Sequence, residues 1–245
     1  MAISVEHFSR TYGDLRAVDD LSFAVTSGEI VGLIGPNGAG KTTTLRSLAG
    51  ILRPTAGTLR IDGHDIVTDA LEAKRRLAFM PDEPHLFEYL TVEEHLRLTA
   101  RLYQVTDFES RLRPLLNELQ LEGKEASLPA ELSRGMRQKV IIACGLVRSA
   151  TTLLFDEPLT GLDPIGIRRM RNTIVTRARD GAAILLSSHL LHLVEEVCSR
   201  VIIMDHGRKV ADGTFAELAA HAELAAAGSS LEQIFLRVTG HDGAA

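Results

Sequence analysis

Eight consecutive residues, Gly35-Pro36-Asn37-Gly38-Ala39-Gly40-Lys41-Thr42, are of the types and in the order that hold a polyphosphate. The glycines let successive backbone N–H groups converge on phosphate oxygens. The Lys41 ammonium neutralises charge at the β- and γ-phosphates, and the Thr42 hydroxyl is suited to ligate Mg2+. The string directly follows the apolar run Ile30 to Ile34 and precedes a helix-forming stretch, which is the strand-to-helix setting such a loop requires. The chain is therefore expected to bind a nucleoside triphosphate.

A second group supplies carboxylates. The apolar segment Thr151 to Phe155 ends in Asp156-Glu157-Pro158, which puts two acids at the carboxyl end of an expected parallel strand, where such sheets bind ligands. Strand alternation separates their tasks: Asp156 is expected to hold Mg2+, directly or through water, and Glu157 to polarise a water aimed at the γ-phosphate. Leu185-Leu186-Ser187-Ser188-His189 ends another apolar run in a histidine, expected either to donate to the γ-phosphate or to orient the attacking water. A third string, Leu132 to Lys139, sets Ser133 at a helix N-cap, whose free N–H groups and dipole can meet a phosphate.

These groups need a scaffold. Continuous apolar runs at Ile30 to Ile34, Leu77 to Met80, Leu153 to Phe155, Ala183 to Ser187 and Val201 to Met204 predict buried parallel strands. Ile3 to Phe8 and Leu21 to Val25 alternate instead, and with Thr58 to Ile61 predict an antiparallel flap. Val92 to Tyr103, Glu109 to Leu119 and Arg134 to Val147 have helical spacing with no strand signal between them, predicting a helical subdomain over about residues 83–149, inserted into a core made of 1–82 and 150–245. Asp205 to Arg208 reads as a hairpin turn, Ala219 to Ser230 as a loosely ordered link, and Leu231 to Val238 as a terminal helix.

Composition narrows the function classes. A formal net charge of -5 in 245 residues lacks the basic excess a nucleic-acid binder needs, so no nucleic-acid partner is expected. Cys144 and Cys198 form no C-x-x-C pair, which argues against a zinc site or a disulfide framework. The N-terminus lacks the pattern of a signal peptide, and no apolar run approaches the roughly 18 residues of a membrane span. A cytoplasmic protein is expected, reaching a membrane only through a partner.

Taken in order, the motifs resemble those of the nucleotide-binding subunit of ATP-binding cassette (ABC) transporters over essentially the whole chain. Gly35 to Thr42, with Thr43 following, is similar to the Walker A loop. Leu153 to Asp156 is similar to Walker B, Leu132 to Met136 to the signature, and Gly161-Leu162-Asp163 to the D-loop. The resemblance implies an α/β fold, a RecA-like P-loop NTPase core with an antiparallel β flap and an inserted α-helical subdomain. It implies Glu157 as catalytic glutamate, His189 as switch histidine and Tyr12 as the aromatic residue stacking on adenine. It also implies ATP and Mg2+ as ligands and a head-to-tail dimer, with itself or a homologous subunit. There Ser133 and Gly135 of one copy meet the nucleotide held by Lys41 of the other, and Asp163 links the two sites. An integral membrane permease would be driven through its access states, with this chain peripheral on the inner face of the cell membrane.

Two departures stand out. The glutamine the family usually places after the Leu77 to Met80 strand is replaced by Asp82, a carboxylate able to ligate Mg2+ but unable to donate when ionised. In the signature, Arg134 and Met136 stand where glycine and glutamine are usual, which resembles single-cassette ATPases paired with drug, polysaccharide, sodium and lipid exporters, as does the tail Leu231 to Gly240. Export is therefore expected. The alternative is a soluble ABC ATPase acting on a protein assembly.

Overall fold

The computed structural model describes residues 1–223 and 230–240. Strands β1 (Ile3–Tyr12), β2 (Leu15–Val25), β4 (Ala56–Ile61) and β5 (His64–Asp65) form an antiparallel sheet in the order β2-β1-β4-β5. Strands β3 (Ile30–Ile34), β6 (Leu77–Met80), β7 (Thr152–Asp156), β8 (Ala183–Ser187), β9 (Arg200–Asp205) and β10 (Arg208–Gly213) form the second, in the order β10-β9-β3-β8-β7-β6. All its neighbours run parallel except β9 and β10, which pair antiparallel across the expected turn.

The parallel strands are buried on both faces, and successive residues feed opposite cores. Ile34, Leu153, Phe155, Ile184, Leu186 and Ile203 face one hydrophobic cluster, together with helical residues such as Leu96, Leu116 and Val140. Leu33, Leu154, Leu185, Ile202 and Met204 face the other, against Ile3, Phe8 and Leu45. A period of two with apolar residues on both sides is why these strands read as unbroken apolar runs. Helices α1 (Lys41–Leu48) and α2 (Ala70–Arg76) lie before β6 in the chain. Helices α3 (Val92–Leu102), α4 (Phe108–Glu118) and α5 (Arg134–Val147) follow one another between β6 and β7, within two residues of the predicted bounds. Thr91 opens α3 with a capping box to Glu94, satisfying two otherwise orphaned N–H groups. A salt bridge of 2.7 Å from Glu118 at the end of α4 to Arg177 ties that helix to α6 (Pro164–Arg179). Helices α7 (Leu191–Val197), α8 (Phe215–His221) and α9 (Leu231–Thr239) complete the described chain.

Two sequence expectations need adjustment. The flap strands are longer than their alternating segments, because β1 bends at His7 (φ 49°) and passes through register shifts instead of ending. Ala219 to His221 belong to α8, nucleated by the Thr214–Glu217 capping box, while 224–229 lie outside the described residues. Cys198 is buried and Cys144 half-buried, both free, and burial pushes the Cys144 thiol up to about 11. Neither is a ready nucleophile.

Gly57 marks where β4 passes the β1 bend. Its φ is +83°, and an added Cβ would lie 2.2 Å from the His7 carbonyl oxygen. Gly57→Ala is expected to destabilise the chain by about 2 kcal/mol or more, from left-handed strain and a backbone clash that no rotamer relieves. Urea unfolding checks this as a lowered midpoint at unchanged slope.

Candidate functional site

Because β3, β6, β7 and β8 are parallel, the loops leaving their carboxyl ends meet along one edge of the sheet. There a cavity of about 660 Å3 is lined by Tyr12, Leu15, Ala17, residues 37–43, Asp82, Glu157, Thr160 and His189. This lies within the size range of sites for small ligands. A second cavity, of about 580 Å3, lies between α4, the end of α5 and the turn from α6 to β8. Its two arginines are already neutralised, Arg111 by Asp107 at 2.8 Å and Arg177 by Glu118 at 2.7 Å, and no glycine loop borders it. It is not the phosphate site.

The loop from Gly35 to Gly40 turns β3 into α1. Gly40 is the N-cap of α1 in the left-handed region (φ 98°), where a Cβ would sit 2.6 Å from the Ala17 carbonyl oxygen. With no side-chain cap and no acid in its first turn, α1 presents bare N–H groups and the positive end of its dipole to the cavity. Lys41 is 8% exposed and its ammonium donates to the carbonyls of Gly35 (2.7 Å) and Pro36 (3.0 Å). Burial lowers its pKa, opposed by the carboxylates of Glu157 and Asp156. A mostly buried ammonium whose hydrogen bonds go to carbonyls alone can take an anion as a further partner.

Asp156 ends β7, 2% exposed, and its Oδ1 accepts from Thr42 Oγ1 (3.1 Å) and Ser187 Oγ (2.7 Å). A hydroxyl beside a carboxylate is a hard oxygen donor set that suits Mg2+. Among the described residues no cluster of three or more acids, histidines or cysteines forms a complete metal cage. Glu157 follows with φ 52°, a strained conformation for a non-glycine residue. Its Oε2 lies 2.8 Å from His189 Nδ1 and accepts from the His189 backbone N–H at 3.3 Å. A carboxylate only accepts, so Nδ1 carries the hydrogen. With Nδ1 on Glu157, Nε2 is the ring nitrogen left for a ligand in the cavity.

Tyr12 is 41% exposed at the β1–β2 turn, paired with Leu15, and the Arg10 guanidinium covers its ring at 4.6 Å. Asp82 lines the cavity and faces the Arg134 guanidinium at 3.6 Å, and Gln138 of α5 donates to the Pro81 carbonyl at 3.0 Å. The structure does not bring Ser133, Gly135 and Asp163 into the cavity lining with Lys41. Ser133 caps α5 by accepting from the Met136 N–H (3.2 Å), and Asp163 caps α6 by accepting from the Gly166 N–H (2.8 Å). A Cβ on Gly135 would lie 2.7 Å from the Gly161 carbonyl oxygen, so the two segments are in close contact. Sequence reasoning missed Leu15, Ala17 and Thr160; Thr160 Oγ1 is buried without a hydrogen-bond partner. Its place three residues after the Glu157 carboxylate was the one available signal.

A family model described as ABC transporter matches residues 18–160. The ABC-type transporter ATP-binding protein EcsA of Bacillus subtilis (strain 168) is 34% identical over 242 residues, covering 98% of this chain and 97% of that protein. The Nod factor export ATP-binding protein I of Paraburkholderia xenovorans (strain LB400) is 40% identical over 218 residues, covering 86% of this chain and 70% of that one. A solved structure of an ATP binding subunit of an ABC transporter superposes with a TM-score of 0.93 at 37% identity, covering 98% and 100%.

The buried ammonium sets a pH dependence. Phosphate raises the depressed pKa of Lys41 on binding, so affinity is full below the free-state pKa and falls as pH rises through it, before the ordinary 10.5 of lysine. Titrating nucleotide affinity from pH 7 to 10 is expected to show this loss, and Lys41→Arg, charged throughout, to remove the pH dependence whatever it does to affinity at pH 7.

Proposed function

The chain belongs to the ABC transporter family as an ATP-binding, ATP-hydrolysing subunit, and from that premise we propose that two copies, or one copy and a homologous subunit, close head to tail on two ATP molecules to power export through a separate membrane permease. The observation that supports this most is one cavity collecting Lys41, Thr42, Glu157 and His189 on the loops of a single sheet edge, with Asp156 hydrogen-bonded to Thr42.

In this proposal the phosphates lie along the α1 N-terminus against Lys41, and adenine stacks on the open face of Tyr12. Thr42 and Asp156 hold Mg2+, which when bound offsets phosphate charge; Asp82 faces the same region. Glu157 takes a proton from the attacking water while Nε2 of His189 helps to orient it. Ser133 and Gly135 stand outside the cavity in a single chain, and a second copy facing it would bring its own Ser133 and Gly135 to the γ-phosphate. Asp163, held beside Gly135 through Gly161, would report the state of one site to the other. Hydrolysis removes the bridging phosphate and lets the pair open.

Export is supported by the relative named for Nod factor export and by the residues Arg134 and Met136 in the signature. No helix among the described residues is long and apolar enough to cross a membrane; in this proposal the separate permease provides the passage. The exposed Phe87 and Tyr89, 64% and 86% accessible, lie next to the Asp82 loop and are offered as part of its docking face.

Glu157→Gln is expected to slow phosphate release by about 10²- to 10⁴-fold while keeping ATP binding. It should run as a dimer in size-exclusion chromatography with ATP and Mg2+; a monomer at saturating nucleotide would refute the interface. Purified in mild detergent from native membranes, the same variant is expected to bring down a stoichiometric multi-span protein. Recovery of soluble proteins alone would replace the transporter with an ATPase acting on a soluble assembly.

A further inference from the structure

The hydroxyl of Ser187 stands between the two carboxylate residues of the site. It is fully buried at the end of β8, and the parallel register sets it directly opposite Asp156. Ser187 Oγ donates to Asp156 Oδ1 at 2.7 Å and accepts from the Glu157 backbone N–H at 3.1 Å, while the Ser187 carbonyl accepts from the same N–H at 3.2 Å. Each contact has a separate consequence. With Thr42 also on Oδ1, both hydrogen bonds to the Asp156 carboxylate fall on one oxygen, and no described hydrogen bond reaches Oδ2. The carboxylate is thereby fixed in rotation, with Oδ2 left for other ligands. The Glu157 peptide, turned into the left-handed region at φ 52°, keeps its N–H satisfied only through Ser187. That conformation is costly and persists where its surroundings hold it.

We propose that Ser187 is a positioning residue for hydrolysis, orienting through its single hydroxyl both the metal-facing carboxylate Asp156 and the backbone that aims Glu157. The assignment rests on the roles proposed above for those two acids. A hydroxyl in this place is needed for the relation between them rather than for either alone: it sets the Asp156 carboxylate and the Glu157 peptide from one point. Serine is suited to the position because one O–H both donates and accepts, and because at zero exposure no water is available to replace it. Ser188, the neighbouring buried hydroxyl, bonds only the Leu190 N–H at 3.1 Å and serves as an internal comparison.

The test compares Ser187→Ala, Ser187→Cys and Ser188→Ala in the full chain, each confirmed folded by circular dichroism, for kcat and KM of ATP hydrolysis and, without turnover, for the Mg2+ concentration that half-saturates binding of a non-hydrolysable ATP analogue. Ser187→Cys keeps the shape of the side chain at a slightly larger volume and loses most of the donor strength, so it reports even where the alanine variant folds poorly. Both Ser187 variants are expected to lose about 10- to 100-fold in kcat with KM for ATP changed by less than about 3-fold, and to need several-fold more Mg2+. Ser188→Ala is expected to keep the wild-type Mg2+ dependence. An unchanged kcat and Mg2+ requirement in a folded Ser187 variant would overturn the proposal, as would a loss confined to KM, or the same Mg2+ shift in Ser188→Ala. Glu157→Gln measured alongside separates the two levels: if it hydrolyses ATP at close to the wild-type rate, the role given to Glu157 fails, and Ser187 has no base to position.

Discussion

The site depends on a register. β7 and β8 pair so that Asp156 lies opposite Ser187, and β8 pairs with β3 so that Ser187 lies opposite Leu33, two residues before the phosphate loop. A slip of one residue in either pairing would turn the carboxylate to the other face of the sheet and expose a buried apolar row. The double-faced core prevents that slip. Phe155 and Leu154, neighbours on one strand, are each fully buried in a different hydrophobic cluster, and neither face can give way without losing a full set of contacts. Burial of residues with no chemical task therefore fixes those that have one.

Charge is handled differently in the interior and at the surface. Lys41 and Asp156 are nearly inaccessible, and each has the hydrogen-bond partners that make burial tolerable. The Asp82–Arg134 pair, at 3.6 Å and with side chains 41% and 57% accessible, contributes little to stability. It nevertheless joins two of the three positions, the third being Met136, at which the sequence departs from the motifs it resembles. Arg134 opens α5, which also reaches Pro81 through Gln138, so the helix is anchored to the loop lining the cavity by one neutral bond and one weak ionic contact.

Much of this was legible in the sequence, for identifiable reasons. The parallel strands declared themselves as short unbroken apolar runs, and the α3 to α5 block as long helical periodicity without strand signals between them. The phosphate loop and the Asp156-Glu157 pair are local strings, read without knowledge of the fold. β5, two residues long, and α2, seven residues with one buried, carry too little pattern to announce themselves. The full length of β1 and β2 was hidden by polar residues at the bends. The two-way hydrogen bond of Ser187 and the orphaned hydroxyl of Thr160 belong to pairings between distant segments, which no local string encodes. That Ser133 and Gly135 do not line the cavity with Lys41 is likewise a relation between distant segments that no local string encodes.

The residue proposed to stack on the base and those proposed to hold the phosphates are positioned by different sheets. Tyr12 ends a strand of the antiparallel sheet, at a hairpin whose residues take no part in the parallel register, whereas Lys41, Asp156 and Glu157 are fixed by that register. The two are therefore separable. A change at the hairpin can alter how firmly a base is stacked without disturbing the phosphate chemistry, whereas a change in the strands moves the carboxylates themselves. Grip on one end of the nucleotide and chemistry at the other are set by different parts of the fold.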